Sequence, residues 1–132
     1  MNTVIYNILK EKKLKSSGLF IILRDNGQYE TFKAVSGGWG KGSLQRGSYK
    51  IVSCYEMDEK EKDRSSFKRE GFPWICGMVP KFETDRNQLA VHPDGDVPGT
   101  LGCIGIEEND LLCYAMLLEL VNKYGSLRLE VV

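Results

Sequence analysis

Residues 19–35 read LFIILRDNGQYETFKAV, and the fold class follows from them. The apolar run from Leu19 to Leu23 meets Asp25-Asn26-Gly27, a hairpin signal because Asn and Gly tolerate the positive φ that tight turns demand. Residues 29–35 then alternate as a returning strand. Upstream, residues 3–9 are rich in β-branched side chains. Downstream, residues 48–54 predict a strand with Tyr49, Ile51 and Ser53 on one face. Residues 72–82 are largely apolar but hold two prolines, which predicts an edge strand. Residues 89–91 form a short strand that delivers His92 at its end, and residues 127–132 a last one. Helical spacing is confined to 109–123, where Leu112, Met116 and Leu120 recur beside Leu111, Ala115 and Leu118. Acids precede that helix, as suits its N-terminus, and Gly125 ends it. About seven strands and one main C-terminal helix predict a mainly β (α+β) domain spanning residues 1–132.

The composition fits a globular chain, with 42% hydrophobic and 27% charged residues. Lys plus Arg and Asp plus Glu each number 18, a balance that argues against nucleic acid as a partner. Lys10, Lys12, Lys13 and Lys15 read as a solvated hairpin. No apolar run approaches the ~20 residues of a membrane span. The first residues lack the pattern of a signal peptide, so synthesis in the cytoplasm is expected. Residues 56–70 are almost wholly charged or polar and read as a solvated insertion or a lid, with Phe67 as its apolar contact.

Cys54, Cys76, Cys103 and Cys113 fall in no zinc spacing. Cys54, Cys76 and Cys113 sit in apolar stretches and read as small buried hydrophobes. The glycine-rich loop of residues 36–47 is not a phosphate loop, because Gly42 stands where Ser or Thr is needed. His92, Asp94 and Asp96 lack calcium-loop spacing and make a poor zinc set, so no metal is expected. No G-x-S-x-G elbow occurs. His92 is the only histidine, and Cys103 follows eleven positions later in HPDGDVPGTLGCIGI, residues 92–106. A thiol with a reference pKa of ~8.5 is mostly protonated at neutral pH, and an imidazole beside it can take the proton. The glycine-dense turn leaves the amides of Gly102 and Cys103 as donors for a developing oxyanion.

These residues resemble the catalytic domain of the L,D-transpeptidase (YkuD-type) family. Its signature is a His at a strand end, then a loop closing in Ser/Thr-x-Gly-Cys and an aliphatic residue. Here that is His92, then Thr100-Leu101-Gly102-Cys103-Ile104. A weaker match upstream pairs Asp25-Asn26-Gly27 with Arg46-Gly47-Ser48-Tyr49-Lys50-Ile51 in the family order. The chain departs by carrying Leu101 in place of a histidine, a shorter loop, and Gly105 in place of Arg or Asn. The short-loop form is similar to phage-encoded and secretion-effector proteins that attack peptidoglycan.

The resemblance implies a YkuD-like β-sandwich of mixed sheets and a cysteine acyltransferase or peptidase acting on peptidoglycan stem peptides without a cofactor. Cys103 would be the nucleophile and His92 its base, with Pro93 (backbone carbonyl) or Thr100 orienting the imidazole and Gly102 contributing to the oxyanion site. Trp39, Tyr49 and Trp74 are candidates for cleft walls or for packing. Arg46 and Arg86 are candidates to replace the polar group absent at Gly105. Action in the cell wall or periplasm would follow non-classical export or lysis, with an export or immunity partner. Papain-like amidases place Cys before His, and no His follows Cys103. A non-catalytic module of the same fold is the other reading.

Overall fold

The computed structural model describes residues 2–58, 67–95, 99–100 and 102–132. Eight strands and one helix run in the order β1 (Thr3–Lys12), β2 (Lys15–Leu23), β3 (Tyr29–Gly37), β4 (Gly47–Glu56), β5 (Trp74–Pro80), β6 (Ala90–Pro93), β7 (Ile104–Ile106), α1 (Asp110–Tyr124) and β8 (Leu127–Val131). The strands close into one barrel, β1-β2-β3-β7-β6-β5-β4-β8. The mainly β class with one C-terminal helix is therefore correct.

The Asp25-Asn26-Gly27 turn joins β2 to β3 in an unbroken antiparallel register from Lys15↔Gly37 to Leu23↔Tyr29. Gly27 has φ 86°, as the hairpin requires. The Lys10–Lys15 region is the tip of the β1–β2 hairpin. Three expectations are corrected by the structure. β5 is not an edge strand, because it pairs with both β4 and β6. Closure removes edges, and Pro80 is tolerated because it ends the strand. Ser53 does not share the inward face of Tyr49 and Ile51. The β4–β5 register shifts between Ile51 and Ser53, and the bulge at Val52 turns Ser53 outward.

Beyond that bulge Cys54 pairs with Cys76, their Cα atoms 4.1 Å apart, and the two form a disulfide. The reading of both as free hydrophobes is thus corrected. A short Cα separation between directly opposed residues of antiparallel strands is what makes such a bridge reachable. Cys113 remains a buried thiol in α1.

The core takes the inward residues of every strand, including Val4, Tyr6, Phe20, Ile22, Phe32, Ile51, Val91, Ile104 and Leu129, together with Leu117 and Leu120 of α1. The helix packs mainly on β4. Its start is capped from a distance: Asp110 N–H donates to Glu70 Oε1 at 3.1 Å, and Glu70 N–H donates to Asp110 Oδ1 at 3.2 Å. Trp74 Nε1 donates to the other Asp110 oxygen at 3.0 Å. This buried carboxylate satisfies donors from the chain that approaches β5, and so fixes residues 67–74 over the barrel wall. Of the charged segment 56–70, residues 59–66 lie outside the described residues. Among the described residues, no helix is long and apolar enough to cross a membrane.

Candidate active site

β6 and β7 run parallel, with Val91↔Ile104, His92↔Gly105 and Pro93↔Ile106 in register. Val91, Ile104 and Ile106 face the core. Strand alternation therefore turns His92, Gly105 and, one residue before β7, Cys103 to the opposite face. His92 and Cys103 are diagonal neighbours on that outer face.

The outer face is itself covered. His92 is only 5% exposed. Its Nδ1 lies 2.7 Å from the Pro93 carbonyl oxygen. A carbonyl only accepts, so Nδ1 carries the proton and Nε2 is left as the basic nitrogen. Phe67 stands edge-on to the imidazole with ring centroids 4.3 Å apart. Burial pulls the His92 pKa down to about 4, against a smaller opposing effect of the Pro93 hydrogen bond. The imidazole is neutral at neutral pH, and so is available as a base.

Cys103 is half-buried. Its thiol donates to the Gln88 carbonyl oxygen at 3.7 Å. Gln88 itself has φ 54°, an uncommon setting for a side-chain-bearing residue, and this turn aims its carbonyl at the sulfur. Burial pushes the Cys103 thiol above its ordinary pKa, partly offset by a hydrogen bond from the Ala90 backbone. The resting pair is thus thiol and neutral imidazole rather than thiolate and imidazolium.

Thr100 is the hub of the loop. Its hydroxyl donates to the Cys103 carbonyl oxygen at 2.6 Å and accepts from the N–H groups of Gly37 at 2.9 Å and Gly102 at 3.2 Å. Thr100 N–H donates back to the Gly37 oxygen at 2.7 Å. Thr100 thus pins the loop before Cys103 to the end of β3, while the hydrogen-bond partner of the His92 ring is Pro93. The Gly102 amide is engaged by Thr100, which leaves the Cys103 amide as the donor an oxyanion would use. Gly102 has φ 126°, where a side chain would be strained.

Gly105 has a steric reason. A Cβ there would lie 3.1 Å from Asp94 Cβ and 3.2 Å from Thr100 Cγ2. Asp94 fills this space, with Oδ1 accepting from Gly99 N–H at 3.1 Å. Its carboxyl is raised above the usual range, chiefly by burial. Arg69 Nη1 donates to the Asp94 carbonyl oxygen at 2.9 Å, tying down the segment that carries Phe67. Asp94 was legible only as a weak metal-ligand candidate; its companion Asp96 lies outside the described residues, as does Leu101.

The substrate-contact candidates separate. Tyr49 and Trp74 are both fully buried, and Tyr49 contributes only to a groove it shares with Ser48, Lys50 and Arg128. Tyr49 donates to the Gln45 carbonyl at 2.6 Å and packs on Phe82, while Trp74 is held by Asp110. Arg46 pairs with Glu11 of β1 at 2.9 Å. Arg86 lies beside the loop that carries Gly102 and Cys103, with Nη1 3.0 Å from where a Gly102 Cβ would sit. Its guanidinium donates to the carbonyls of Lys41 at 2.6 Å and Ser43 at 3.0 Å, so it rigidifies the glycine loop there. Trp39 is half-exposed and its indole lies against Gly99. No protein-family model matches this chain, and neither does any curated protein or solved structure.

Proposed function

We propose that the chain is a cysteine-dependent L,D-transpeptidase or L,D-carboxypeptidase acting on peptidoglycan stem peptides. One observation carries the reading: His92 and Cys103 occupy one face of adjacent parallel strands, and Pro93 fixes the tautomer that leaves Nε2 basic. On this reading the barrel is a variant of the YkuD-like β-sandwich of mixed sheets, and action follows export or lysis into the cell wall or periplasm.

His92 Nε2 takes the Cys103 thiol proton as the sulfur adds to the diaminopimelate carbonyl carbon. The Cys103 amide donates to the oxyanion, a contact typically worth about 3 kcal/mol. The C–N bond then breaks, and terminal D-alanine leaves with the proton from the imidazolium. The thioester passes to an acceptor amine in transpeptidation, or to water in carboxypeptidation. Because the resting pair is neutral, proton transfer accompanies attack rather than preceding it. Trp39 and Arg86 are the substrate contacts this reading retains.

A second reading, a non-catalytic binding module, is favoured by the covered site: Phe67 blocks the imidazole and the thiol proton points to Gln88. Mass analysis of tetrapeptide-containing muropeptides after incubation separates the two. Loss of D-alanine or formation of exchanged product, abolished in Cys103→Ala, supports the enzyme. Unchanged masses with retained muropeptide binding would make the binding module correct.

A further inference from the structure

On the outside of the barrel, Lys50 of β4 is the direct cross-strand partner of Arg128 in β8, and Ser48 is that of Glu130. Tyr49, Ile51, Leu127, Leu129 and Val131 are buried, so alternation turns these four outward. Lys81 joins them from the next strand. Its N–H donates to the Ser48 carbonyl at 2.9 Å, continuing the ladder one residue past β5. With Ser126 they line a surface groove of ≈ 350 Å³.

Among the described residues, Glu130 is the only carboxylate lining that groove. It accepts from Arg128 Nε at 2.7 Å and from the Ser48 hydroxyl at 2.8 Å. The Arg128 and Ser48 hydrogen bonds, with Lys81 nearby, hold its carboxyl below the usual range. It is therefore an ionised internal counterion that fixes Arg128 through one edge. Among the described residues, neither Lys50 nor Lys81 makes an ion pair. Three cations face one carboxylate on a chain whose formal net charge is zero. Like charges directly opposed across strands are destabilising, so folding stability does not account for Lys50 opposite Arg128. A bound anion does.

We propose that this groove binds a phosphate group carried by a phosphomonoester or a phosphodiester. Glu130 already occupies the Nε edge of Arg128, which weakens the case for a planar carboxylate taken in a bidentate fork. What remains are two ammonium groups acting as point charges, the outer nitrogens of Arg128 and the Ser126 hydroxyl, which suit an anion with several outward oxygens. The groove lies on β4 and β8, with β5 between β4 and the β6 that carries His92, and it does not rest on the transpeptidase reading.

The test is a titration of isotope-labelled protein with inorganic phosphate at low ionic strength, read from backbone amide shifts. Saturating shifts at Ser48, Lys50, Lys81 and Arg128 are expected, roughly five-fold weaker in Lys50→Ala or Lys81→Ala and absent in the double variant. Glycerol 3-phosphate and a glycerol phosphodiester are the two further arms, and tighter binding of either supports the site while naming its source. Non-saturating shifts, saturation unchanged in the double variant, or equal saturation by acetate at matched ionic strength would each overturn it. The exposed lysines are dispensable for the core, so the variants remain folded.

Discussion

Phe67 stands edge-on to His92, ring planes at 90° and centroids 4.3 Å apart. This one contact joins the end of the charged segment to the proposed base. It also supplies part of the burial that holds the imidazole pKa near 4. Phe67→Ala should let water reach the ring and move that pKa upward toward 6.5, the ordinary value. Because His92 is the only histidine, a proton NMR titration reads it from a single unambiguous imidazole signal. An unchanged midpoint would show that other neighbours keep the ring dry.

The same burial makes stability depend on pH. The folded pKa of His92 lies below its unfolded value, so the unfolded chain takes up a proton first as pH falls. The stabilisation is fully present above about pH 6.5 and is lost progressively down to about pH 4. Across that window the loss approaches roughly 3 kcal/mol. Asp94 and Asp110 work in the opposite sense, since burial raises both carboxyls and the folded state holds their protons more readily. Urea unfolding at stepped pH should therefore give a slope in the wild type that flattens in His92→Gln. Equal slopes in the two proteins would remove His92 as the cause.

Thiol chemistry gives a third expectation. Cys54 and Cys76 are paired and Cys113 is buried, so native alkylation should stop at one equivalent, on Cys103. Its raised pKa leaves less thiolate than a free cysteine has at neutral pH. The alkylation rate should be slower than that of a small-molecule thiol at pH 7 and climb through a midpoint above the ordinary thiol range. A plateau already reached below pH 7 would instead indicate a preformed ion pair with His92.

Local chemistry was the legible part of this chain. The Asp25-Asn26-Gly27 hairpin, the 109–123 helix and the short strand before His92 are written in neighbouring residues. For the imidazole's partner the sequence left Pro93 and Thr100 as alternatives, and the hydrogen bond goes to Pro93. Barrel closure is a property of all eight strands together, and it turned the proline-bearing β5 from an edge into an interior strand. The bulge at Val52 leaves no mark in residue type, yet it reverses Ser53 and helps set Cys54 opposite Cys76. Aromatic identity does not encode direction either: Trp39 reaches the loop surface while Tyr49 and Trp74 turn into the core. The hydroxyl of Thr100 lies near Cys103 in sequence, but its bond to Gly37 could not be foreseen, because Gly37 is 63 residues away.

That last separation sets a test of the loop. Thr100 Oγ1 accepts from two backbone amides and donates to the Cys103 carbonyl, and the residue is only 5% exposed. Thr100→Val keeps the shape but leaves three buried polar groups without their partner. The expected cost is roughly 2–4 kcal/mol, since each stranded group costs about 1–3 kcal/mol before the loop relaxes. Thr100→Ser keeps the hydroxyl and should recover most of that loss, giving up only the methyl packed beside Gly105. The two variants also separate stability from reactivity. If Thr100 sets the direction of the Cys103 backbone, Thr100→Val should alter the alkylation rate of Cys103 under conditions where the barrel is still folded by circular dichroism, and Thr100→Ser should not. Equal alkylation rates in all three proteins, at equal folded fraction, would reduce Thr100 to a packing residue.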